Sequence, residues 1–189
     1  LYPKMGGVYR STDKRWVFPS GAKVDLGHMQ HENDKYNYQG KEFHCVAFDE
    51  LTQFSESQYL YLHSRVRTTD PEIRCQVLSS SNPGGIGHNW VKERFQPGER
   101  DLKTFYDSRS GLSRVFVPAT VEDNPTLFDN DLEYVSRLEA LPEIERKRLR
   151  LGNWDAFEGQ IFSELLQSIQ GYEDFPIPPE WDRYLVFDW

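Results

Sequence analysis

The sequence has only two cysteines, Cys45 and Cys75. Both sit inside apolar runs and fit buried, reduced thiols of a cytosolic protein better than a disulfide or a metal site. No segment approaches the roughly 18 to 20 consecutive apolar residues that a membrane-spanning helix requires. A mean hydropathy of −0.71, with 28% charged residues, agrees with that, and no membrane partner is expected. The first residues, LYPKMGGVYR, lack the apolar core of a signal peptide. They also lack an initiator Met, which suggests that the sequence starts partway through a longer protein. A basic excess is missing too: the formal net charge is −8. Proteins that coat nucleic-acid phosphates normally carry surplus cations, so contact with DNA would be through a local patch or transient. An ordinary acidic surface is the plainer reading of the charge. The five histidines, at 28, 31, 44, 63 and 88, have no ligand spacing that would support a zinc site.

What remains is enough for a packed domain: 38% of residues are hydrophobic and 14% aromatic. Arg15-Trp-Val-Phe18 and Ala22-Lys-Val-Asp-Leu26 are short strand-like runs joined by a Pro19-Ser-Gly21 turn. Residues 28–42 are polar and read as a loop or short helix ending at Gly40. Phe43-His-Cys-Val-Ala-Phe48 then reads as a strand buried on both faces of a parallel sheet. Ser55 to Arg67 is a predicted helix with Tyr59, Leu62 and Val66 at helical spacing, and Ser55 with Gln58 forms a capping box. Glu72 to Leu78 is a second strand, His88 to Phe95 a short helix, and Ser113 to Val117 a third strand. The alternation predicts an α/β domain with a mostly parallel sheet. Asp131 to Leu141 and Pro142 to Leu151 are predicted helices, the second opening on a proline. Residues 168–180, with Pro176, Pro178 and Pro179, read as a linker. Tyr184-Leu-Val-Phe-Asp188 opens a new strand.

Two strand ends carry candidate chemistry. CVAFDE (45–50) delivers Asp49 and Glu50 at the carboxyl end of an apolar strand, where open α/β sheets bind ligands. There Asp49 could hold Mg²⁺, directly or through water, and Glu50 could polarise a water attacking a γ-phosphate. SSSNPGG (79–85) ends the following strand, and Ser81 and Asn82 could hydrogen-bond that phosphate or water. Each motif alone is commonplace, because many strands end in acidic or serine-rich loops. On successive strands they are more informative together. Arg65 and Arg67 could face a neighbouring subunit or DNA, although a solvated face is the simpler reading, and Lys92 and Arg94 are weaker candidates for phosphate contact. Trp154, Phe157 and Phe162 read as packing between this domain and the linker rather than as base-stacking platforms.

Four blocks in order, YQGKEFHCVAFDELTQF (38–54), SSNPGGIGHNWVKERF (80–95), VFVPATVEDNPTL (115–127) and LGNWDAFEGQIF (151–162), resemble the large terminase subunits of tailed bacteriophages and related prophages. The resemblance covers the chain from about residue 15 to its end. It implies an incomplete RecA-like P-loop ATPase, with the C-terminal portion of that domain and a helical linker region over 1–165, a Pro-rich linker over 166–180 and the start of an RNase H-like nuclease over 181–189. By that resemblance Asp49 matches the magnesium-binding Asp, Glu50 the catalytic Glu, and Ser81 with Asn82 the motif that couples hydrolysis to movement. Asp188 matches the first nuclease ligand for Mg²⁺ or Mn²⁺. The implied activity is ATP-driven translocation of double-stranded DNA into a procapsid, with endonuclease cutting of concatemers. Implied partners are DNA, the portal protein, a small terminase subunit and further copies in a ring. The implied location is the bacterial cytoplasm, transiently on the procapsid and not in the mature virion. One departure stands out: no G-x-x-x-x-G-K-[ST] occurs in the chain. In the family that phosphate-binding loop lies upstream of the region matching residue 1. The 189 residues alone are therefore expected to bind ATP poorly and to be inactive. A helicase-like P-loop motor and a non-hydrolysing interaction module are the alternatives.

Overall fold

The structure is a computed structural model and describes residues 1–131 and 133–156. The expected linker, the expected nuclease strand with Asp188, and Phe157 and Phe162 lie outside the described residues. Leu1–Ala156 forms one compact unit of mixed α/β structure with small sheets.

The chain opens with β1 (Val8–Arg10), β2 (Arg15–Val17) and β3 (Lys23–Asp25), an antiparallel sheet in the order β1-β2-β3. The predicted hairpin is β2–β3, closed by a bond from the Phe18 amide to the Ala22 carbonyl at 3.0 Å. Tyr2 stacks edge-on against Trp16 and Phe18, with ring centres 5.4 and 5.6 Å away, which gives this small sheet its own aromatic cluster. A 3-10 segment at Glu32–Tyr38 follows.

β4 (Cys45–Phe48) and β5 (Gln76–Ser79) pair in parallel, with Phe48 opposite Ser79. Parallel neighbours need a crossover, and α1 (Glu56–His63) supplies it. The Ser55 hydroxyl accepts the Gln58 amide at 3.1 Å while Gln58 returns a bond to the Ser55 amide at 3.0 Å. A cap of this kind contributes about 1 kcal/mol. The helix ends earlier than predicted: Phe43 bonds to both Arg65 and Arg67 through its backbone, so Val66 runs extended beside it.

Phe48, Leu51, Tyr59, Leu62, Val91 and Trp154 form the core, with α2 (His88–Phe95) completing it. Phe48 points inward, whereas Cys45 and Ala47 are exposed. The expectation of a strand buried on both faces, with buried cysteines, is therefore corrected. Side chains alternate across a strand, and among the described residues the helices cover one face only.

The third strand is also corrected. Only Ser113–Arg114 (β7) is regular, and it pairs antiparallel with Phe105–Tyr106 (β6) instead of joining β4 and β5. Phe116 makes a single bridge to Asp101, and Val115 and Val117 stay exposed. Three short helices follow, α3 (Pro125–Asn130), α4 (Glu133–Glu139) and α5 (Glu143–Leu149). Pro142 caps α5 and does not occupy its first turn. Arg150 bridges Glu122 and Glu139, which ties the end of α5 to both preceding segments.

Candidate functional site

The parallel register places Asp49 beside Ser80 just beyond the carboxyl ends of β4 and β5. The Ser80 hydroxyl donates to Asp49 Oδ1 at 2.7 Å. The backbone ladder continues past the strands, with the Ser80 amide bonding the Phe48 carbonyl and the Leu51 amide bonding the Ser80 carbonyl, each at 2.9 Å. Thr52 extends the seam: its amide donates to Ser81 Oγ at 3.1 Å and its hydroxyl to the Asn82 carbonyl at 3.0 Å.

The acidic pair and the serine–asparagine turn thus share one rim. Their side chains are not equivalent, however. Ser81 is committed to Thr52, and Ser80, which sequence reasoning passed over, is the residue on the carboxylate. Thr52, only 1% exposed, was passed over too. Asn82 is exposed, and among the described residues its amide group makes no hydrogen bond. Glu50 is exposed in a left-handed backbone conformation (φ 54°, ψ 55°). That conformation is uncommon for a residue with a side chain. The cause is local: Leu51 and Thr52 turn straight into the core, so the chain reverses at Glu50 and leaves its carboxylate outside.

Behind the rim, the Pro83-Gly84-Gly85 turn is held from two helices. Arg148 Nε of α5 donates to the Pro83 carbonyl at 3.0 Å, with its guanidinium lying against Gly84. The Gly84 amide donates to His88 Nδ1 at 3.0 Å. His88 is 2% exposed and stacks on Trp154, 5.5 Å between ring centres. Burial, then the nearby Lys92, push its pKa below the ordinary 6.5, and Arg148 adds to this. The unfolded chain therefore takes up this proton at a higher pH than the folded one, and stability is lost as pH falls from about 6.5 through the folded value. The melting temperature should drop as pH is lowered through about 6.5, and His88→Gln should flatten that fall. His63, depressed by its burial and by Arg94 and Arg114, leaves a residual slope. An unchanged slope in the variant would show that His88 does not bear it.

A cleft of about 1490 Å³ opens from the rim, lined by Asp49, Glu50 and Asn82 at one end and by Arg74 and Arg94 elsewhere. One wall carries β5, which pairs only with β4 among the described residues. Val115 and Val117, 46% and 64% exposed, also line the cleft. Asp49 Oδ2 and both Glu50 oxygens make no protein hydrogen bond among the described residues. They could serve a hard cation that takes one or two carboxylates and fills its remaining positions with water and phosphate oxygens. No three His, Cys, Asp or Glu groups converge as a metal cluster among the described residues.

Other candidates fall elsewhere. Arg65 lies over the Tyr61 ring at 4.9 Å, Arg67 pairs with Glu42 at 2.9 Å, and Lys92 pairs with Asp155 at 2.5 Å. Arg94 stacks on Tyr59 at 5.0 Å. Trp154 is buried in the core against His88 and Phe116.

A family model described as the N-terminal part of the terminase large subunit, T4likevirus-type, matches residues 6–168. Comparison with curated proteins and with solved structures gives no match.

Proposed function

The chain belongs to the terminase large subunit family, of the T4-like type and in its N-terminal region, and so to phage DNA packaging; we propose that it carries the hydrolytic half of a nucleotide site that drives DNA into a procapsid. One observation carries this reading above the rest: Asp49 and the Ser80–Asn82 turn adjoin at the carboxyl ends of neighbouring parallel strands, bonded through Ser80 at 2.7 Å. Ligands of open α/β sheets bind at such ends.

In this reading Asp49 is oriented by the Ser80 hydroxyl and leaves its second oxygen for Mg²⁺. Glu50, unpaired and facing the cleft, accepts a proton from the water that attacks the γ-phosphate of ATP. Bound Mg²⁺ would supply charge neutralisation of the phosphates. Asn82 reports the state of that phosphate, and Ser81 transmits its position to Thr52. The phosphate-cradling loop would come from another part of the large subunit. The edge of β5, which pairs only with β4 among the described residues, and the exposed Val115 and Val117 lining the same cleft support a further strand pairing there, which would extend the sheet toward a RecA-like arrangement.

The rest of the proposal rests on the resemblance of the sequence to the family. It comprises a linker and an RNase H-like nuclease whose first metal ligand is Asp188, with Mg²⁺ or Mn²⁺ as its metal. It also comprises double-stranded DNA, portal protein, small subunit and sister copies as partners, in the bacterial cytoplasm.

Calorimetric titration of Mg·ATP into the complete large subunit tests the site. Binding is expected, and Asp49→Asn should weaken it about tenfold or more only when Mg²⁺ is present, as loss of a charged ligand implies. No binding to the complete subunit would overturn the nucleotide reading.

A further inference from the structure

The charge of this chain is not evenly spread. Residues 1–26 carry five cations, Lys4, Arg10, Lys14, Arg15 and Lys23, against two carboxylates, Asp13 and Asp25, while the whole chain is at −8. The β1–β3 register sorts these residues by face. Arg10 stands opposite Arg15, which stands opposite Asp25, and one pleat away Val8, Val17 and Lys23 are aligned. Tyr9, Trp16 and Val24 take the other face, where the Tyr9 and Trp16 rings lie 5.2 Å apart. One side of the sheet is thus aromatic and the other basic.

The basic side is left under-compensated. Like charges directly opposite on neighbouring strands cost stability, and Arg10 and Arg15 accept that cost with a single carboxylate in their row. Asp25 is taken by Arg15 through both guanidinium bonds. Its carboxyl is held below the ordinary range by that bond, with Lys41 and Lys23 adding to the effect. Lys41 is tied to the end of β3: its ammonium lies over the Tyr38 ring at 5.1 Å, and the Tyr38 hydroxyl donates to the His28 carbonyl at 3.3 Å. Arg10, Lys23 and Lys41 are exposed and make no ion pair among the described residues.

We propose that this face of β1–β3, through Arg10, Lys23 and Lys41 with Arg15 and Lys14 beside them, is a contact surface for the phosphate backbone of double-stranded DNA. The chemistry suits a packaging protein, which must hold any sequence it moves. Phosphate contacts position a protein on the duplex without reading bases, and the β1–β3 rows on this side hold no aromatic residue. Outside residues 1–26 carboxylates outnumber cations. The inference rests on family membership and does not depend on the nucleotide site.

The test uses the complete large subunit without divalent metal, so that DNA is not cut, and labelled duplex DNA over a range of salt. The triple variant Arg10→Gln, Lys23→Gln and Lys41→Gln should bind about tenfold or more weakly at moderate salt. The slope of log affinity against log salt should shrink by about 2 to 3, as each lost phosphate contact removes about 0.9. A control triple of exposed cations elsewhere, Arg100→Gln, Lys103→Gln and Arg109→Gln, should leave the slope unchanged, and Arg10→Lys should retain the parent slope. An unchanged slope in the first triple, or equal weakening by both triples, would overturn the proposal. So would tighter binding to poly-glutamate than to DNA, which would point to an acidic protein partner. Retained ATP turnover in a DNA-weakened triple separates this surface from the nucleotide site. Failure of ATP binding in the parent would strike the motor reading alone.

Discussion

Glu50→Gln in the complete subunit should keep Mg·ATP binding and lose turnover by about 10² to 10⁴, the range over which a positioned general base acts. The substitution preserves size and the ability to hydrogen-bond, but an amide cannot accept the proton of an attacking water. The geometry makes the prediction specific to Glu50. Its neighbour Asp49 is already bonded to Ser80 at 2.7 Å, and Leu51 and Thr52 are both 1% exposed. Glu50 is the residue at which the chain turns outward, with φ 54°. Its carboxylate carries no structural bond among the described residues, so the amide variant should fold as the parent does. Single-turnover measurement of phosphate release, beside nucleotide affinity, checks the result. Undiminished release would remove Glu50 from the role of base, and loss of affinity with unchanged release would place it in binding instead.

That the acidic pair and the serine turn meet was legible in the sequence, because two apolar runs of strand length each end in a polar turn. The Ser55 and Gln58 cap and the Pro19-Ser-Gly21 turn were legible for the same kind of reason: their chemistry is local. Which serine faces Asp49 was not legible. It depends on Phe48 lying opposite Ser79, a register fixed by tertiary packing. The exposure of Cys45 and Ala47 was hidden because an apolar run does not say how many layers will cover it. In Ser113 to Val117 the strand propensity lies in Val115, Phe116 and Val117, yet only Ser113 and Arg114 pair regularly, since the partner decides where a ladder ends. Val8–Arg10 was missed outright. Three residues do not make a pattern, and Arg10 opposite Arg15 contradicts pairing rules that an isolated sheet would obey. Arg148 reaches the turn from far along the chain, and no spacing rule connects it to Pro83.

The seam between the two loops should also be the least forgiving part of the fold. Gly85 has φ +74°, where a side chain costs about 1 to 2 kcal/mol by itself. A Cβ there would lie 2.7 Å from the Thr52 carbonyl oxygen and 3.2 Å from its carbon, both backbone atoms that cannot rotate away. The same carbonyl accepts the Gly87 amide at 2.8 Å, while the Thr52 amide and hydroxyl hold Ser81 and Asn82. Moving Thr52 to admit a methyl group would therefore disturb three bonds together. Gly85→Ala should cost about 2 to 4 kcal/mol, as substitutions that combine backbone strain with a core clash do. At about 2 to 4 °C per kcal/mol for a domain of this size, melting should fall by roughly 5 to 15 °C. Ile86→Ala, at a neighbour 79% exposed, should stay within about 0.5 kcal/mol. Equal stability of the two variants would mean that the Pro83-Gly84-Gly85 turn can move away from Thr52. Asp49 and Ser80 would then lack the rigid support that the proposed chemistry requires of them.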